Sequence, residues 1–255
     1  MRIALVSDAW RPQVNGVVRT LATVAGELTA MGHEIDPITP DRFYTLPCPT
    51  YPEIRLALAP RWSVARLLDK SKPDAIHIAT EGPLGVAAGS YCLSRDLAFT
   101  TAYHTRFPEY VAARLFVPLR WTYAWLRRFH APSRSIMVAA PSIARELDAR
   151  GFRNIRPWTR GVDSDLFQPE RREELPDLPR PIFLTVGRVA VEKNLEAFLK
   201  LDLPGTKLVV GEGPAHASLA RQFPGALFLG NREGEALAEI YSAAKTFARH
   251  IAAAS

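Results

Sequence analysis

The chain has 255 residues and is 47% hydrophobic, the composition of a globular protein with one large or two modest domains. Its net charge of +6 favours an anionic partner but does not choose among nucleotide, nucleic acid and membrane. Cys48 and Cys92 lack the spacing of a metal site or a disulfide framework, and no apolar run suits a signal peptide or a spanning helix. We therefore expect a cytoplasmic protein that at most contacts the inner face of a membrane.

Residues 1–162 alternate short apolar strands with helices, which predicts an α/β domain with a parallel sheet covered on both faces. The first helix is expected to end at Gly32. The last is expected to run from an N-cap at Ser142 to a C-cap at Gly151. The predicted strands are "RIALVS", "HEIDPIT", "EIRLAL", "DAIHIAT", "AFTTAYH", "SIMVAA" and "NIRPWT", and the later helices lie near 63–71, 83–95, 106–130 and 142–150.

A proline-rich and charged stretch over 163–180 predicts an exposed linker. A second α/β domain is predicted over 181–255, built on the same strand–helix alternation. Its predicted strands are "IFLTVG", "KLVVGEG" and "ALFLG", and its predicted helices are "NLEAFLKL", "AHASLARQF" and "EALAEIYSAA".

Two cations follow the first strand of this second domain. Arg188 and Lys193 lie around the start of a predicted helix, where unpaired amides and the macrodipole already favour negative charge. A diphosphate would suit such a place. The alternative is that both side chains are solvated surface residues.

Further candidates lie where predicted strands end. Gly16 follows the first strand, where a missing side chain lets phosphate or sugar approach the backbone. His104 is expected at the carboxyl edge of the sheet, where open α/β folds bind ligands, whereas His77 alternates with apolar neighbours and is predicted as a core residue. Strand-end loops supply candidates for sugar or acceptor hydroxyls and for close nucleotide approach: Glu81, Arg106, Glu109, Tyr110, Gly211 and Gly213.

Several motifs in order carry a resemblance: "SDAWRPQVNGVVRT", "IHIATEGPLG", "AYHTRFPEY", "RGVDSDLFQP", "GRVAVEKNLEAF", "VVGEGP" and "FLGNREGEALAEIYSAA". Together they resemble the retaining glycosyltransferases of family four, a large group that includes GDP-mannose-dependent α-mannosyltransferases acting on lipid acceptors. The resemblance covers the chain from residue 1 to about residue 244. It implies the GT-B architecture, with two Rossmann-like parallel-sheet domains facing a cleft and the second one incomplete.

The resemblance also implies residue roles. Arg188 and Lys193 would grip the donor diphosphate and offset charge on the leaving group, with Gly16 beside the phosphates. His104 would line the sugar and acceptor pocket and take part in transfer, and Arg232 would border the base pocket. The donor is expected to be GDP-mannose, with no cofactor and no metal. "DSD" at 163–165 belongs to the "RGVDSDLF" motif rather than to a metal site.

The stretch "LRWTYAWLRRFH" at 119–130 interleaves aromatic residues with arginine. Such a helix suits an anionic lipid headgroup region, but it could equally pack its aromatic residues inward and solvate its arginines. Nucleic acid is not expected as a partner, because no recognised binding module accompanies the stretch.

The pattern departs from the family after "IYSAA". Relatives continue with an apolar strand and then two glutamates, separated by seven residues, that hold the donor sugar and ribose, whereas this chain reads "KTFARHIAAAS". We therefore expect a truncated second sheet with an unprotected edge. The predicted function is transfer of a hexose to a lipid-linked or glycan acceptor, and mannose is the hexose expected first. The alternatives are an inactive remnant that at most binds nucleotide or membrane, and a sugar-nucleotide epimerase of the same architecture.

Overall fold

A computed structural model describes residues 1–13, 15–48, 51–58, 61–104, 117–168, 178–244 and 246–247. Backbone contacts divide the chain into two units, Met1–Arg160 and Gly161–Ser255. This division falls close to the end of the first predicted domain at residue 162. In the described ranges, no helix combines the length and the apolar character needed to cross a bilayer.

The first unit is an α/β unit whose elements alternate as predicted. In chain order they are β1 (Arg2–Val6), α1 (Gly16–Ala30), β2 (Glu34–Ile38), β3 (Thr45–Cys48), β4 (Tyr51–Ala57), α2 (Arg61–Ser71), β5 (Ala75–Ile78), α3 (Pro83–Ser94), β6 (Thr100–Tyr103), α4 (Leu119–His130), β7 (Ser135–Val138), α5 (Pro141–Ala149) and β8 (Ile155–Pro157).

Six of these strands form a parallel sheet in the order β2-β1-β5-β6-β7-β8. The predicted strand "EIRLAL" is the exception, because it lies in β4, which pairs antiparallel with β3 in a separate hairpin. Since β3 ends at Cys48 and β4 begins at Tyr51, the connection is far too short for a parallel crossover. The expectation that every strand of this domain enters the parallel sheet was therefore wrong.

The strand order places the helices on both faces of the sheet. The chain moves from β1 to β2 in one direction and from β5 through β8 in the other, and right-handed crossovers then put α1 on the face opposite α3. One face buries Val6 and Ile78 beneath Leu84 of α3, and the other buries Leu5 beneath Leu21 of α1. A third cluster joins Tyr103 and Val138 to α4 and α5.

Helix ends follow local chemistry, with one correction. Asn15 caps α1, because its Oδ1 accepts from the N–H groups of Val17 and Val18 at 3.0 Å each. Gly32, just past α1, has a left-handed φ of +85°, as a terminating glycine does. The predicted N-cap at Ser142 was wrong: α5 begins at Pro141, whose fixed φ suits the first helical position.

The second unit repeats the alternation on a smaller sheet. Its elements are β9 (Ile182–Val186), a 3₁₀ turn (Val191–Lys193), α6 (Leu195–Leu199), β10 (Thr206–Val210), α7 (His216–Gln222), β11 (Ala226–Phe228), α8 (Gly234–Ala243) and β12 (Thr246–Phe247). The strands run parallel in the order β11-β10-β9-β12. The sequence predicted an unprotected edge after "IYSAA", but β12 in the "KTFAR" segment pairs with β9 and so continues the sheet on that side.

Helices cover both faces of the second sheet. Leu184 and Leu208 pack against Leu237 of α8 on one face, and Val209 packs with Phe198 of α6 on the other. Phe167 and Leu178 join the first of these clusters, and the ring of Phe167 lies 5.7 Å from that of Tyr241. The described part of the predicted linker therefore contributes to the core of the second unit.

Candidate active site

The first unit has a switch point between β1 and β5. These neighbouring strands lead the chain in opposite directions, which opens a crevice outside their carboxyl ends. Gly16 begins α1 beside this crevice, and Glu81 follows β5. Three predicted residues of this unit, Arg106, Glu109 and Tyr110, lie outside the described residues.

Gly16 is a glycine that the fold itself does not require. A Cβ added at this position would meet nothing within 4 Å, and the residue does not have a left-handed φ. Gly16 is also exposed at the first position of a helix, where alanine would be the better helix former. Packing therefore offers no reason for a glycine here.

Asp8, which the sequence did not single out, caps α3 from the neighbouring strand. Its Oδ1 accepts from the Leu84 N–H at 2.9 Å, and its Oδ2 accepts from the Thr80 hydroxyl at 2.8 Å. Burial raises the pKa of this carboxyl, while the hydrogen bonds to it oppose the rise. A Cβ on Gly82 would collide with the carboxyl group. Asp8 is thus a structural acid that orients the loop before α3.

The side chain of Glu81 is buried and faces a histidine of the interior. Its buried Oε1 lies 3.4 Å from Nε2 of the fully buried His130. The Nδ1 of His130 lies 2.8 Å from the Thr101 hydroxyl, which itself donates to Ser133 Oγ. Because the Thr101 hydroxyl donates its proton to Ser133 Oγ, Nδ1 of His130 must donate to the Thr101 oxygen. The predicted contact of Glu81 with sugar or acceptor hydroxyls is not what its surroundings favour.

His104 lies directly after β6, at the carboxyl edge where the sequence predicted it. Its Nδ1 is 3.2 Å from Nη2 of Arg160, and its ring packs edge-on against Trp158 with centroids 5.5 Å apart. Burial and the positive charge of Arg160 lower the pKa of His104 to about 3. His104 is therefore neutral at physiological pH.

His77 is a sheet residue, as predicted. Its Nδ1 lies 2.8 Å from the hydroxyl of Thr100 on the neighbouring strand, and its ring packs edge-on against Trp158. Burial lowers the pKa of His77 to about 4. The sequence analysis did not single out Trp158, which lies within the predicted strand "NIRPWT", or Arg160, which follows it.

In the second unit, β12 places a switch point beside β9. The chain leaves β9 toward β10 and returns on the other side at β12, so the loop Gly187–Asn194 lies where open α/β sheets bind ligands. Arg188 and Lys193 both lie in this loop and are half-buried. The structure thus brings the two predicted cations to one loop.

The helix after this loop is shorter than the sequence predicted. Lys193 ends a 3₁₀ turn, Asn194 has a left-handed φ of 47°, and α6 has only five residues. So short a helix contributes little macrodipole, and Asn194 makes no side-chain capping bond to it. Positive charge at this loop therefore comes from the two side chains rather than from a helix terminus.

Gly211 and Gly213 serve the packing of adjacent loops. Gly211 has φ +137°, and a Cβ there would collide with the carbonyl oxygen of Gly187. A Cβ on Gly213 would collide with the carbonyl oxygen of Val189 in the same way. Backbone packing explains both glycines, so the sequence reason for expecting nucleotide at them is lost.

Arg232 follows β11, so its loop lies at the same carboxyl edge of the sheet as the loop Gly187–Asn194. Its side chain is exposed, and its Nη1 donates to the carbonyl oxygen of Asn231 at 3.0 Å. Asp163 of the "DSD" stretch organises its own turn, since its Oδ1 accepts from the Leu166 N–H at 2.9 Å.

Helix α4 settles how the aromatic stretch packs. Tyr123 and Leu126 point into the core, where the ring of Tyr123 lies 6.4 Å from that of Phe152. Trp121 is 62% exposed and Trp125 is 43% exposed. Of the two alternatives that the sequence left open, wholly inward aromatic packing does not hold for the two tryptophans.

Residues 14–166 match the family model described as Glycosyltransferase Family 4. The chain belongs to this family. A GDP-mannose-dependent α-mannosyltransferase of Mycobacterium tuberculosis is 31% identical to this glycosyltransferase, over 97% of the chain and 72% of the relative. Sulfoquinovosyl transferase SQD2 of Arabidopsis thaliana is 28% identical, over 96% of the chain and 54% of the relative.

Solved structures agree with the fold of this glycosyltransferase. The structure of Anabaena HepE in complex with UDP is similar with a TM-score of 0.67, covering 100% of this chain and 75% of that one. At 13% identity the likeness concerns the fold alone. The glycosyltransferase has the GT-B fold, with two α/β units built on parallel sheets and the second sheet the smaller.

Proposed function

We propose that this glycosyltransferase transfers mannose from GDP-mannose to a lipid-linked or glycan acceptor, with retention of configuration. The similarity to GDP-mannose-dependent α-mannosyltransferases supports GDP-mannose as the donor. Because the chain is also similar to a sulfoquinovosyl transferase, the experiment below includes donors of other hexoses. The observation that carries the proposal is the pair of half-buried cations, Arg188 and Lys193, in the loop at the switch point of the second sheet.

The two cations match the charge that develops during transfer. As the bond between the sugar's C1 and the diphosphate oxygen breaks, negative charge grows on the leaving diphosphate. Fixed cations in a partly desolvated loop stabilise this charge more than they stabilise the intact donor. Arg188 can hold two phosphate oxygens at once, and Lys193 adds a compact charge.

Retention follows if the acceptor attacks the face that the diphosphate leaves. The acceptor oxygen forms the new bond to C1, and its proton passes to the departing diphosphate oxygen. This step needs no protein base. We propose that it also needs no metal, because the charge of Arg188 and Lys193 stands where a divalent cation would otherwise serve.

Two further features support the ligand sites. Gly16 leaves open space at the switch point of the first sheet, which suits close approach of phosphate or sugar. His104 is neutral and lies at the same carboxyl edge, where it can bind a sugar hydroxyl.

The outer face of α4, which we name the tryptophan face, consists of Trp121 and Trp125 with the exposed Arg120 and Arg128. The twelve residues of α4 include no acid, so the face complements an anionic surface. Indole rings favour the headgroup region of a bilayer. We propose that this face contacts the membrane that carries a lipid acceptor.

The donor experiment compares matched arginine variants. The purified protein is incubated with a panel of nucleotide sugars and a lipid extract, and products are resolved by mass spectrometry. Arg188→Ala is expected to lower transfer by about 100- to 1,000-fold, as removal of one oxyanion contact does. Arg221→Ala, on the exposed side of α7, is the control and should leave transfer unchanged.

Other outcomes of this experiment favour other functions. Binding of GDP without turnover of any donor would favour the inactive remnant, and epimer formation without an acceptor would favour the epimerase. Transfer that Arg188→Ala does not reduce would contradict the role of the cations.

The membrane experiment is sedimentation with vesicles. Binding to phosphatidylglycerol vesicles, and weak binding to phosphatidylcholine vesicles, is expected for the wild-type protein. The double variant Trp121→Ala, Trp125→Ala should lose most of this binding, whereas Trp62→Ala, which removes an indole of similar exposure on α2, should not. Equal loss in both proteins would exclude α4 as the contact.

A further inference from the structure

The two ring nitrogens of His104 have different surroundings. Nδ1 lies 3.2 Å from Nη2 of Arg160. Nε2 is buried, and among the described residues it has no hydrogen-bond partner. Trp158 packs edge-on against the ring and so limits its rotation.

The hydrogen-bonding chemistry of arginine decides the proton position. A guanidinium has only donors, so Nδ1 of His104 must accept from it. A neutral imidazole carries one proton, and with Nδ1 as the acceptor that proton is on Nε2. The neutral state itself follows from burial and from the charge of Arg160, which lower the pKa of His104 to about 3. Among the residues that the structure describes, Arg160 and His77 are the charged or titratable groups that act on this ring.

We propose that Arg160 is a positioning residue that holds His104 in the Nε2–H form, so that His104 serves as a hydrogen-bond donor and not as a base. The partner of Nε2–H is a sugar oxygen, either a hydroxyl of the donor hexose or one of the acceptor. This assignment of a ligand rests on the proposed function, whereas the tautomer depends only on the contacts of His104.

The proposal has a mechanistic consequence. A nitrogen that already carries the ring proton cannot take the acceptor's proton, and the other nitrogen is occupied by a cation. The acceptor's proton must then pass to the departing diphosphate, which matches the retaining step proposed above. His104 contributes orientation of the sugar.

The alternative explanation is that Arg160 and His104 form a purely structural contact. Arg160 is exposed, and its removal should leave the fold intact. A purely structural contact would therefore leave transfer unchanged in Arg160→Met, whereas the proposal predicts a lower kcat together with a change of tautomer and of pKa.

The test is nuclear magnetic resonance of the ¹⁵N-histidine-labelled full chain, with His104→Gln to assign the signal. Long-range ¹H–¹⁵N correlations distinguish the Nε2–H and Nδ1–H forms directly. The wild-type ring is expected in the Nε2–H form at neutral pH. Arg160→Met should give a mixture of both forms and raise the pKa of His104 by about one unit or more, because a positive charge and a donor are lost. Arg156→Met, an exposed arginine on β8, is the matched control.

Two outcomes would overturn the proposal: a wild-type Nδ1–H signal, or an unchanged tautomer and pKa in Arg160→Met. Neither readout requires turnover, so failure here is distinct from failure of the proposed function. Where transfer is measurable, Arg160→Met should lower kcat with little change in the donor KM. His104→Gln, whose amide still donates, should keep at least tenfold more activity than His104→Ala, the usual scale of one such hydrogen bond.

Discussion

His130 and Glu81 face each other inside the first unit, with Nε2 and Oε1 3.4 Å apart and both side chains buried. The contact joins the end of β5 to the end of α4, elements far apart in the chain. Glu81, which the sequence predicted as a ligand-binding residue, therefore lies in the interior beside a buried histidine.

Glu81→Ala should destabilise the protein because it removes the polar group that faces the buried Nε2 of His130. Leaving a buried polar group unsatisfied costs about 1–3 kcal/mol. Chemical denaturation measures the loss, with Glu27→Ala on the exposed side of α1 as the control, for which a change within about 0.5 kcal/mol is expected. A stable Glu81→Ala protein with impaired acceptor use would instead return Glu81 to the ligand site.

Two glycine variants separate the packing glycines from the open one. Gly211→Ala places a Cβ against the Gly187 carbonyl at a φ of +137° and should cost at least about 2 kcal/mol. Gly16→Ala meets nothing within 4 Å and should keep or slightly raise stability, while weakening donor binding if phosphate approaches there. Thermal unfolding and GDP titration give the two readouts. Normal GDP affinity in Gly16→Ala would remove that glycine from the site.

Lys193→Ala should lower kcat by roughly 10- to 100-fold and change the donor KM less, because its charge matters most as the diphosphate departs. Lys200 offers a matched lysine, since it forms a surface ion pair with Glu196 at 2.8 Å. Steady-state kinetics of Lys200→Ala should equal those of the wild type. If both variants lose the same activity, general charge rather than a specific contact is responsible.

Stability should fall in mild acid because His77 is buried in its neutral form. Its pKa in the folded protein is about 4, below the ordinary 6.5, so between these values the unfolded chain takes up a proton that the folded chain refuses. The stability present above about pH 6.5 is therefore lost as the pH falls toward about 4, by roughly 3 kcal/mol. His77→Gln should remove that share of the loss. Urea unfolding at about pH 7.5 and about pH 4.5 measures it, and identical pH dependence in both proteins would refute the assignment.

Most strands were predictable because each is a short apolar run bounded by turn residues. β1, β9 and β10 are examples in which the pattern lies wholly within the segment. The pattern did not reveal that β4 pairs with β3, nor that β12 pairs with β9, because pairing depends on partners outside the segment. Short runs such as Thr246–Phe247 also carry too few residues for a periodic signal.

The candidate site divides in the same way. The position of His104 after a strand could be predicted, since every strand of a parallel sheet ends at the same edge. Three other features could not be predicted, because each requires two segments of the chain to meet. They are the burial of Glu81 beside His130, the contact of Arg160 with His104 and the packing role of Gly211.

By itself, the sequence determined the alternation of strands and helices. It also determined which residues lie at strand ends and which cations lie in the loop after β9, because these depend on local spacing and residue chemistry. Only the tertiary structure decided which strands are neighbours, and with that where each sheet changes direction. It also decided at which glycines a side chain would collide with the backbone, and which polar side chains are buried in the interior. The physical reason is that packing and hydrogen bonding act between atoms close in space, whatever their separation along the chain.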